Sequence, residues 1–295
     1  ALLYAATLVA GRSIRGPPLF FALLLTATGA TFIEHSYHFS ADIFTAAVTV
    51  WGIVFLQRKR ALAAGLLFGL ALWARPTLVL VIAPVGFALG YGLLDRRQAK
   101  LIGLGFLPCL VGGALANWLM FGAPWATSYD RILIVQDGVQ MVDSASNLCR
   151  LGFADGFRRI RLSPKAWFLD NPPSVVAGIV GLVPLMRRPP RLALGLAFAI
   201  LAYISVFTTY RYSNPRFFFA WMALLVAPLA LLLESFGEGL ARLGPSLHAR
   251  LAQGRGPKIL ALLGALTLTL ILWGSMALGP RGATLNDRIS QARVT

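Results

Sequence analysis

Residues 18–57 read PLFFALLLTATGATFIEHSYHFSADIFTAAVTVWGIVFLQ, and this stretch decides the fold. It consists of two apolar runs with a short polar segment, Glu34 to His38, between them. A helix needs about 20 mostly apolar residues to cross a bilayer, and each run approaches that length. The stretch therefore predicts two membrane-crossing helices that meet at a polar turn.

The composition of the whole chain agrees with this pattern. Of its 295 residues, 57% are hydrophobic and 13% are charged, whereas a soluble domain has about 25% charged residues. The net charge is +16, but the basic residues form short clusters between apolar runs, as membrane topology requires. This spacing argues against nucleic-acid binding. Two cysteines are too few for a disulfide framework.

Reading the apolar runs between charges gives about ten candidate spans. The fold class predicted is all-α, a polytopic transmembrane helical bundle forming a single domain over residues 1–295. The chain opens at Ala1 with an apolar run and no basic segment before it, so we expect an N-terminally truncated chain rather than a signal peptide. The candidate spans are 1–10, 18–38, 39–57, 61–74, 76–94, 101–120, 174–186, 192–209, 215–234 and 258–279.

The connections between these spans alternate in charge. Short basic connections stay in the cytoplasm, which predicts a cytoplasmic loop at 235–257 and a long extracytoplasmic loop at 121–173. The connections predicted to be cytoplasmic contain Arg12, Arg15, Arg58, Lys59, Arg60, Arg96, Arg97, Lys100, Arg187, Arg188, Arg191, Arg242, Arg250, Arg255 and Lys258.

The stretch 61–94 crosses the membrane either once or twice, and this number decides on which side every later connection lies. The apolar run Ala61 to Ala74 gives only about 21 Å of helix, and Pro76 breaks the helix after Arg75. We interpret 61–94 as two short spans meeting at an outer turn that contains Arg75. A single crossing would place the basic clusters at 187–191 and 242–258 outside. The GxxxG pairs Gly65/Gly69 and Gly86/Gly90 favour close helix packing.

The polar segment after the second span holds the first candidate site. Asp42 lies about one turn inside the next helix, and ionisable groups at membrane depth are usually functional; the alternative is that Ser40 or Asp42 caps that helix. Glu34, His35 and His38 are either a functional cluster or polar residues at headgroup level. His and Glu side chains also bind zinc, so a divalent metal is possible, although no metal ligand is assigned.

Two arginine-containing segments form the second candidate site. Arg75 is either an arginine whose charge reaches the interface or a phosphate ligand, since the guanidinium fork matches a phosphate. The segment 210–216 reads YRYSNPR and places Tyr210, Arg211 and Arg216 at another outer helix end. It is either part of an aromatic belt or a second group of ligands for a lipid phosphate.

The predicted outer loop 121–173 has the composition of an ordered lid. It contains aromatic residues together with acids and bases, and a disordered linker has few aromatics. Residues 157–168 are a candidate for a basic interfacial helix, but Pro164 interrupts it. Cys109 and Cys149 are not expected to pair, because one lies mid-membrane and the other in this loop.

These residues resemble the core of the GT-C membrane glycosyltransferases, of the protein-mannosyltransferase and lipid A aminoarabinose-transferase type. The resemblance covers roughly residues 1–235 and depends on the order and sidedness of loose motifs. The matching motifs are Glu34-His35-Ser36, Ser40-Ala41-Asp42, the run from Gly65 to Ala71, Arg75-Pro76, Asn117 to Pro124 with Tyr129, and Asn214-Pro215-Arg216-Phe217.

The resemblance implies transfer of a sugar, with inversion, from a polyprenyl-phosphate donor to a lipid, glycan or protein acceptor. It also implies a bacterial or archaeal cytoplasmic membrane, an extracytoplasmic active face, membrane lipid as a partner and no role for nucleic acid. In this family the principal catalytic acid lies in the first outer loop, which would precede Ala1. Supporting catalytic roles then fall to Glu34 and Asp42, and substrate binding to His35, His38, Arg75, Tyr129, Tyr210, Arg211 and Arg216.

Two other functions remain open from the sequence. A transporter or flippase for a lipid-linked or anionic substrate would place charged residues or broken helices near the bilayer midplane. A non-catalytic partner in a membrane assembly would need neither the acids nor the arginines at one edge.

Overall fold

A computed structural model describes residues 1–11, 14–28, 41–75, 79–126, 132–136, 139–143, 153–162, 173–208, 219–243 and 256–277. Most of these residues are helical. The helices before the outer loop are α1 (Leu2–Ala10), α2 (Pro17–Thr28), α3 (Ala41–Gln57), α4 (Ala61–Ala74), α5 (Val79–Gly90) and α6 (Arg96–Phe121). Within and after that loop follow α7 (Phe153–Leu162), α8 (Pro173–Val180), α9 (Leu182–Met186), α10 (Pro190–Phe207), α11 (Phe219–Leu224), α12 (Val226–Leu243) and α13 (Gly256–Ala277).

One hairpin departs from the all-α prediction. Strands β1 (Ile132–Gln136) and β2 (Val139–Asp143) pair antiparallel, with Ile132 opposite Asp143. Both strands are rich in β-branched residues, and Asp137-Gly138 stands between them in the sequence. That dipeptide is a strong signal for a two-residue hairpin. The predicted lid therefore contains a strand pair, which its lack of long apolar runs does not indicate.

The helix ends follow local capping chemistry. Helix α4 has the predicted bounds, and α6 starts at Arg96 because the Asp95 carboxylate accepts a hydrogen bond from the Gln98 amide at 2.6 Å. Helix α6 ends at Gly122, which is left-handed with φ 79°. Helix α7 ends at Leu162, two residues before Pro164. It begins at Phe153, so both of its ends lie earlier in the chain than those of the predicted helix 157–168.

Two predicted spans are each divided into two helices. The span 174–186 is interrupted at Gly181 and the span 215–234 at Leu225. In each case a proline lies four residues after the last residue of the first helix, and its ring clashes with that residue's carbonyl: Pro184 follows Val180, and Pro228 follows Leu224. Helix α12 then continues to Leu243, so part of the predicted loop 235–257 is helical.

Glycines let α4 and α6 pack with their backbones in contact. A Cβ atom added at Gly65 would meet the Ile102 carbonyl, and one at Gly105 would meet the Leu62 carbonyl. Farther along, Gly69 faces Cys109. Farther still, Trp73 on α4 lies against Gly113 on α6. From Gly65 to Trp73 the contacts therefore advance along both helices in the same direction, so α4 and α6 are parallel. The predicted packing role of the Gly65/Gly69 pair is confirmed.

The parallel arrangement forces α5 to return through the bundle. Helix α5 packs antiparallel to α10, because Gly90 at its end contacts Leu194 near the start of α10, while Gly86 contacts Phe198. The second GxxxG pair therefore also lies at a helix contact. The chain makes two passes between residues 61 and 90, as the interpretation of 61–94 predicts.

The helix ends gather at two ends of the bundle. The ion pair between Asp42 and Arg75 joins the start of α3 to the end of α4, and we name this the Asp42 end. At the opposite end, the Gln57 amide donates to the Val9 carbonyl at 3.3 Å, and we name this the Gln57 end. Arg188 precedes Pro189, which shares a cavity with Gln57, and pairs with Glu234 at 2.6 Å.

Helix α6 exposes much of its apolar surface. Among the described residues it is the one helix that is long and apolar enough to cross a membrane, with a mean hydropathy of 1.7, and 17% of that window is buried inside the bundle. Leu104, Val111 and Leu119 on this helix are 58%, 57% and 77% exposed. Monomeric soluble proteins rarely expose so continuous an apolar surface.

The contact between α4 and α6 predicts opposite effects for two neighbouring glycines. Gly105→Ala places a methyl group against the Leu62 backbone and is expected to lower the free energy of unfolding by about 1–3 kcal/mol. Gly103→Ala meets no atom within 4 Å and is expected to be neutral or stabilising by up to about 1 kcal/mol. Unfolding in detergent micelles measures both, and equal effects would contradict the packing described.

Candidate functional site

The ion pair between Asp42 and Arg75 is the centre of the candidate site. Asp42 lies in the first turn of α3. Arg75 follows the last residue of α4 in an extended conformation with φ −149° and ψ 104°. Their side chains are 9% and 20% exposed, respectively. Two of the residues that the sequence assigned to the site are therefore in direct contact.

The surroundings of the pair explain why it forms. A charge removed from water is costly unless it is paired, and breaking such a pair leaves an uncompensated charge. The free amides at the start of α3 also favour a negative group in its first turn. Asp42 therefore holds the Arg75 guanidinium, whose planar fork of N–H donors is also the group best shaped to bind a phosphate.

The contact bears on the alternatives left open for each residue. For Asp42 these are a helix cap or a functional group, and for Arg75 an interfacial arginine or a phosphate ligand. Asp42 lies inside α3 and its carboxylate pairs with Arg75, so its role extends beyond capping the helix. The other cap candidate, Ser40, lies outside the described residues. Arg75 is mostly buried and engaged with a carboxylate, which differs from an arginine that only reaches toward the interface.

A buried threonine stripe continues from Asp42 along α3. Thr45 and Thr49 follow at the third and seventh positions, the spacing of one helix face. The Thr45 hydroxyl donates to the carbonyls of Ala41 at 2.8 Å and Asp42 at 2.9 Å. The Thr49 hydroxyl is buried and has no hydrogen-bond partner among the described residues. Helical spacing from Asp42 could have identified this stripe in the sequence.

The helices on either side of the second arginine segment are well packed. Helix α10 ends before Thr208, and α11 begins at Phe219. Near these points the buried rings of Tyr203 and Trp221 pack edge to face, with centroids 4.8 Å apart. Gly156 on α7 lies directly against the Thr208 carbonyl. A helix of the predicted outer loop thus reaches the point where the chain enters the segment 209–218.

The remaining predicted site residues lie outside the described part of the chain, and their assignments stay predictions. They fall before α3, between α6 and β1, and between α10 and α11. These residues are Glu34, His35, His38, Tyr129, Tyr210, Arg211 and Arg216.

Metal binding is not decided by the described ranges. Within them no group of three or more His, Cys, Asp or Glu side chains could hold a metal ion. Glu34, His35 and His38, which raised the possibility of a divalent metal, are not among those residues.

No protein-family model, curated protein or solved structure matches this chain.

The ion pair predicts a strong energetic coupling. Asp42→Asn and Arg75→Gln are each expected to destabilise the fold by about 3 kcal/mol, because each leaves its partner's charge buried without compensation. The double variant should lose less than the sum, with a coupling of about 1–3 kcal/mol. Unfolding of the three variants in detergent gives this value directly.

The ion pair of Arg188 and Glu234 supplies a matched comparison. Its side chains are 49% and 32% exposed, so the same type of cycle should give a coupling of about 1 kcal/mol or less. A coupling between Asp42 and Arg75 no larger than this would contradict a buried pair at the candidate site.

Proposed function

We propose that the chain is an integral membrane protein, a polytopic bundle of about ten spans. The exposed apolar surface of α6 supports this, since lipid is the solvent that such a surface suits. Asp42 and Lys100 lie within the first turns of α3 and α6, whereas Glu234, midway along α12, is paired with Arg188. Charged groups are expensive at the bilayer centre and inexpensive at its edges.

We infer that the Gln57 end faces the cytoplasm. The connections at this end carry Arg58, Lys59 and Arg60 after α3, and Arg187 and Arg188 before α10. Short connections rich in Lys and Arg are retained on the cytoplasmic side. The Asp42 end then faces outward.

This orientation predicts the labelling of single cysteines by a membrane-impermeant maleimide. In a background with Cys109 and Cys149 replaced by Ser, Trp125→Cys is expected to react in intact cells, because Trp125 is 81% exposed beyond the outer end of α6. Arg97→Cys, exposed at the other end of the same helix, should react only after the cells are permeabilised. The reverse pattern would overturn the proposed orientation.

We propose that the function is transfer of a sugar from a polyprenyl-phosphate-linked donor to an acceptor at the outer membrane face. The observation that carries this proposal is the buried contact between Asp42 and Arg75 at the Asp42 end. A lipid-linked donor keeps its phosphate at headgroup level, where this guanidinium lies if the bundle is inserted as proposed. The resemblance to GT-C glycosyltransferases agrees with the proposed sugar transfer.

The chemistry is a displacement at the anomeric carbon. The acceptor oxygen forms a bond to that carbon while the bond to the phosphate oxygen breaks, and the phosphate leaves with the electron pair. A cation at the leaving group stabilises the charge that develops there, which is the role proposed for Arg75. A carboxylate within hydrogen-bond reach takes the acceptor proton.

The contact assigns different roles to the two candidate acids. Asp42 is engaged with Arg75, so we propose that it is a positioning residue that aims the guanidinium. Glu34 remains a proposed supporting acid. Arg211 and Arg216 are proposed as further phosphate ligands.

Substitution of Arg75 tests the transferase proposal. With a short-chain polyprenyl-phosphate sugar as donor, Arg75→Gln is expected to reduce release of polyprenyl phosphate by about 100-fold or more, since a charge-stabilising donor contributes about 3–4 kcal/mol. Arg75→Lys keeps the charge without the fork and should be intermediate. Asp42→Asn should raise the KM for the donor more than it lowers kcat, because it acts through Arg75.

Arg188→Gln is the control, because it removes an arginine at the opposite end of the bundle and should leave transfer unchanged. Folding of each variant is checked by its elution profile and unfolding midpoint. Unchanged transfer in Arg75→Gln would contradict the proposal that this residue stabilises the leaving phosphate. Flux of intact donor across liposomes, without product, would instead support a transporter.

A further inference from the structure

A cavity of about 260 Å³ opens at the Gln57 end, away from the candidate site. It lies where the ends of α1, α3 and α5 meet the start of α10. Its apolar walls include Leu8, Val54 and Leu192. Since one water occupies about 30 Å³ of liquid, the space accommodates a phosphate group together with a small alcohol such as glycerol.

Polar groups of three kinds line the same cavity: Gln57, Arg58 and Tyr91. The Gln57 amide is held in place by its bond to the Val9 carbonyl at 3.3 Å. The Tyr91 ring is stacked on Phe87, with centroids 5.4 Å apart and planes 18° apart. Two of the hydrogen-bonding groups are therefore positioned in the absence of a ligand, and Arg58 adds a guanidinium.

The charge around the cavity favours an anion. Its lining includes Arg58, which two further basic residues follow, and Pro189, which follows Arg187 and Arg188. Acids close to these connections are engaged: Glu234 and Glu238 pair with Arg188 at 2.6 and 3.7 Å. The field at the cavity is thus positive.

We propose that this cavity is a second binding site, specific for a phosphate-bearing anion with a small polar headgroup. The apolar walls next to the guanidinium match the junction between the glycerophosphate and the acyl chains of an anionic phospholipid. Basic pockets between helices on the cytoplasmic side are known to suit such headgroups. The proposal requires the bundle to be inserted in a membrane, but it is independent of sugar transfer at the Asp42 end.

The test is thermal unfolding of the detergent-solubilised chain, titrated separately with phosphatidylglycerol, phosphatidylcholine, glycerol 3-phosphate and inorganic phosphate. Phosphatidylglycerol should raise the Tm in a saturable way and phosphatidylcholine should not. Arg58→Gln is expected to increase the half-saturating concentration about tenfold, the effect of losing one charged hydrogen bond. Arg58→Lys should lie between it and the parent.

Arg97→Gln is the matched control, because it loses the same charge from an exposed position outside the cavity lining. It should change the half-saturating concentration less than twofold. An equal loss in both variants, or no stabilisation by any of the phosphate compounds, overturns the proposal. Saturable stabilisation by glycerol 3-phosphate or inorganic phosphate, lost in Arg58→Gln, supports the site. It also identifies the ligand of the site as a soluble phosphate compound.

Arg75→Gln separates this proposal from the transferase proposal. It removes the arginine at the Asp42 end and should leave the response to phosphatidylglycerol unchanged. Loss of transfer in this variant with an intact lipid response shows two independent sites. Loss of the lipid response in Arg75→Gln would contradict a site at the Gln57 end.

Discussion

The close packing of α4 against α6 constrains much of the described bundle. Backbone meets backbone where Gly65 faces Ile102 and Gly105 faces Leu62, so any larger side chain at either glycine would separate the helices. The contact fixes the two helices as parallel neighbours. The chain between them must therefore run back through the bundle, which it does as α5, and this return brings the start of α6 to the Gln57 end.

The Asp42–Arg75 pair depends on that arrangement. Arg75 sits where α4 stops, and α3 runs antiparallel to α4, so the start of α3 arrives beside it. The same alternation collects Gln57, Arg58, Tyr91 and Pro189 at the other end. One end thus holds a buried ion pair and the other a basic cavity. In the proposed membrane these would face opposite sides, with different chemistry available to each.

Residues of the predicted site differ in how far the sequence could place them. Asp42 and Arg75 were identified separately, each as an ionisable group at the edge of an apolar run, but their contact involves residues more than thirty positions apart and follows only from helix packing. The strand pair of β1 and β2 is absent from the predictions, because its Asp137-Gly138 signal lies in a loop whose aromatic and charged residues favour a lid. The helix breaks at Gly181 and Leu225 were missed although Pro184 and Pro228 were visible.

The sequence by itself determined the helical character, the bounds of α4 and the two passes within 61–90. These properties depend on local hydrophobicity, proline and charge, which neighbouring residues along the chain encode. The tertiary structure alone decided that α4 and α6 are parallel, that Asp42 binds Arg75 and that three helix ends enclose a cavity with the start of α10. Such contacts depend on which helix faces pack together, and that choice is made among distant segments by backbone proximity and the cost of an unpaired buried charge.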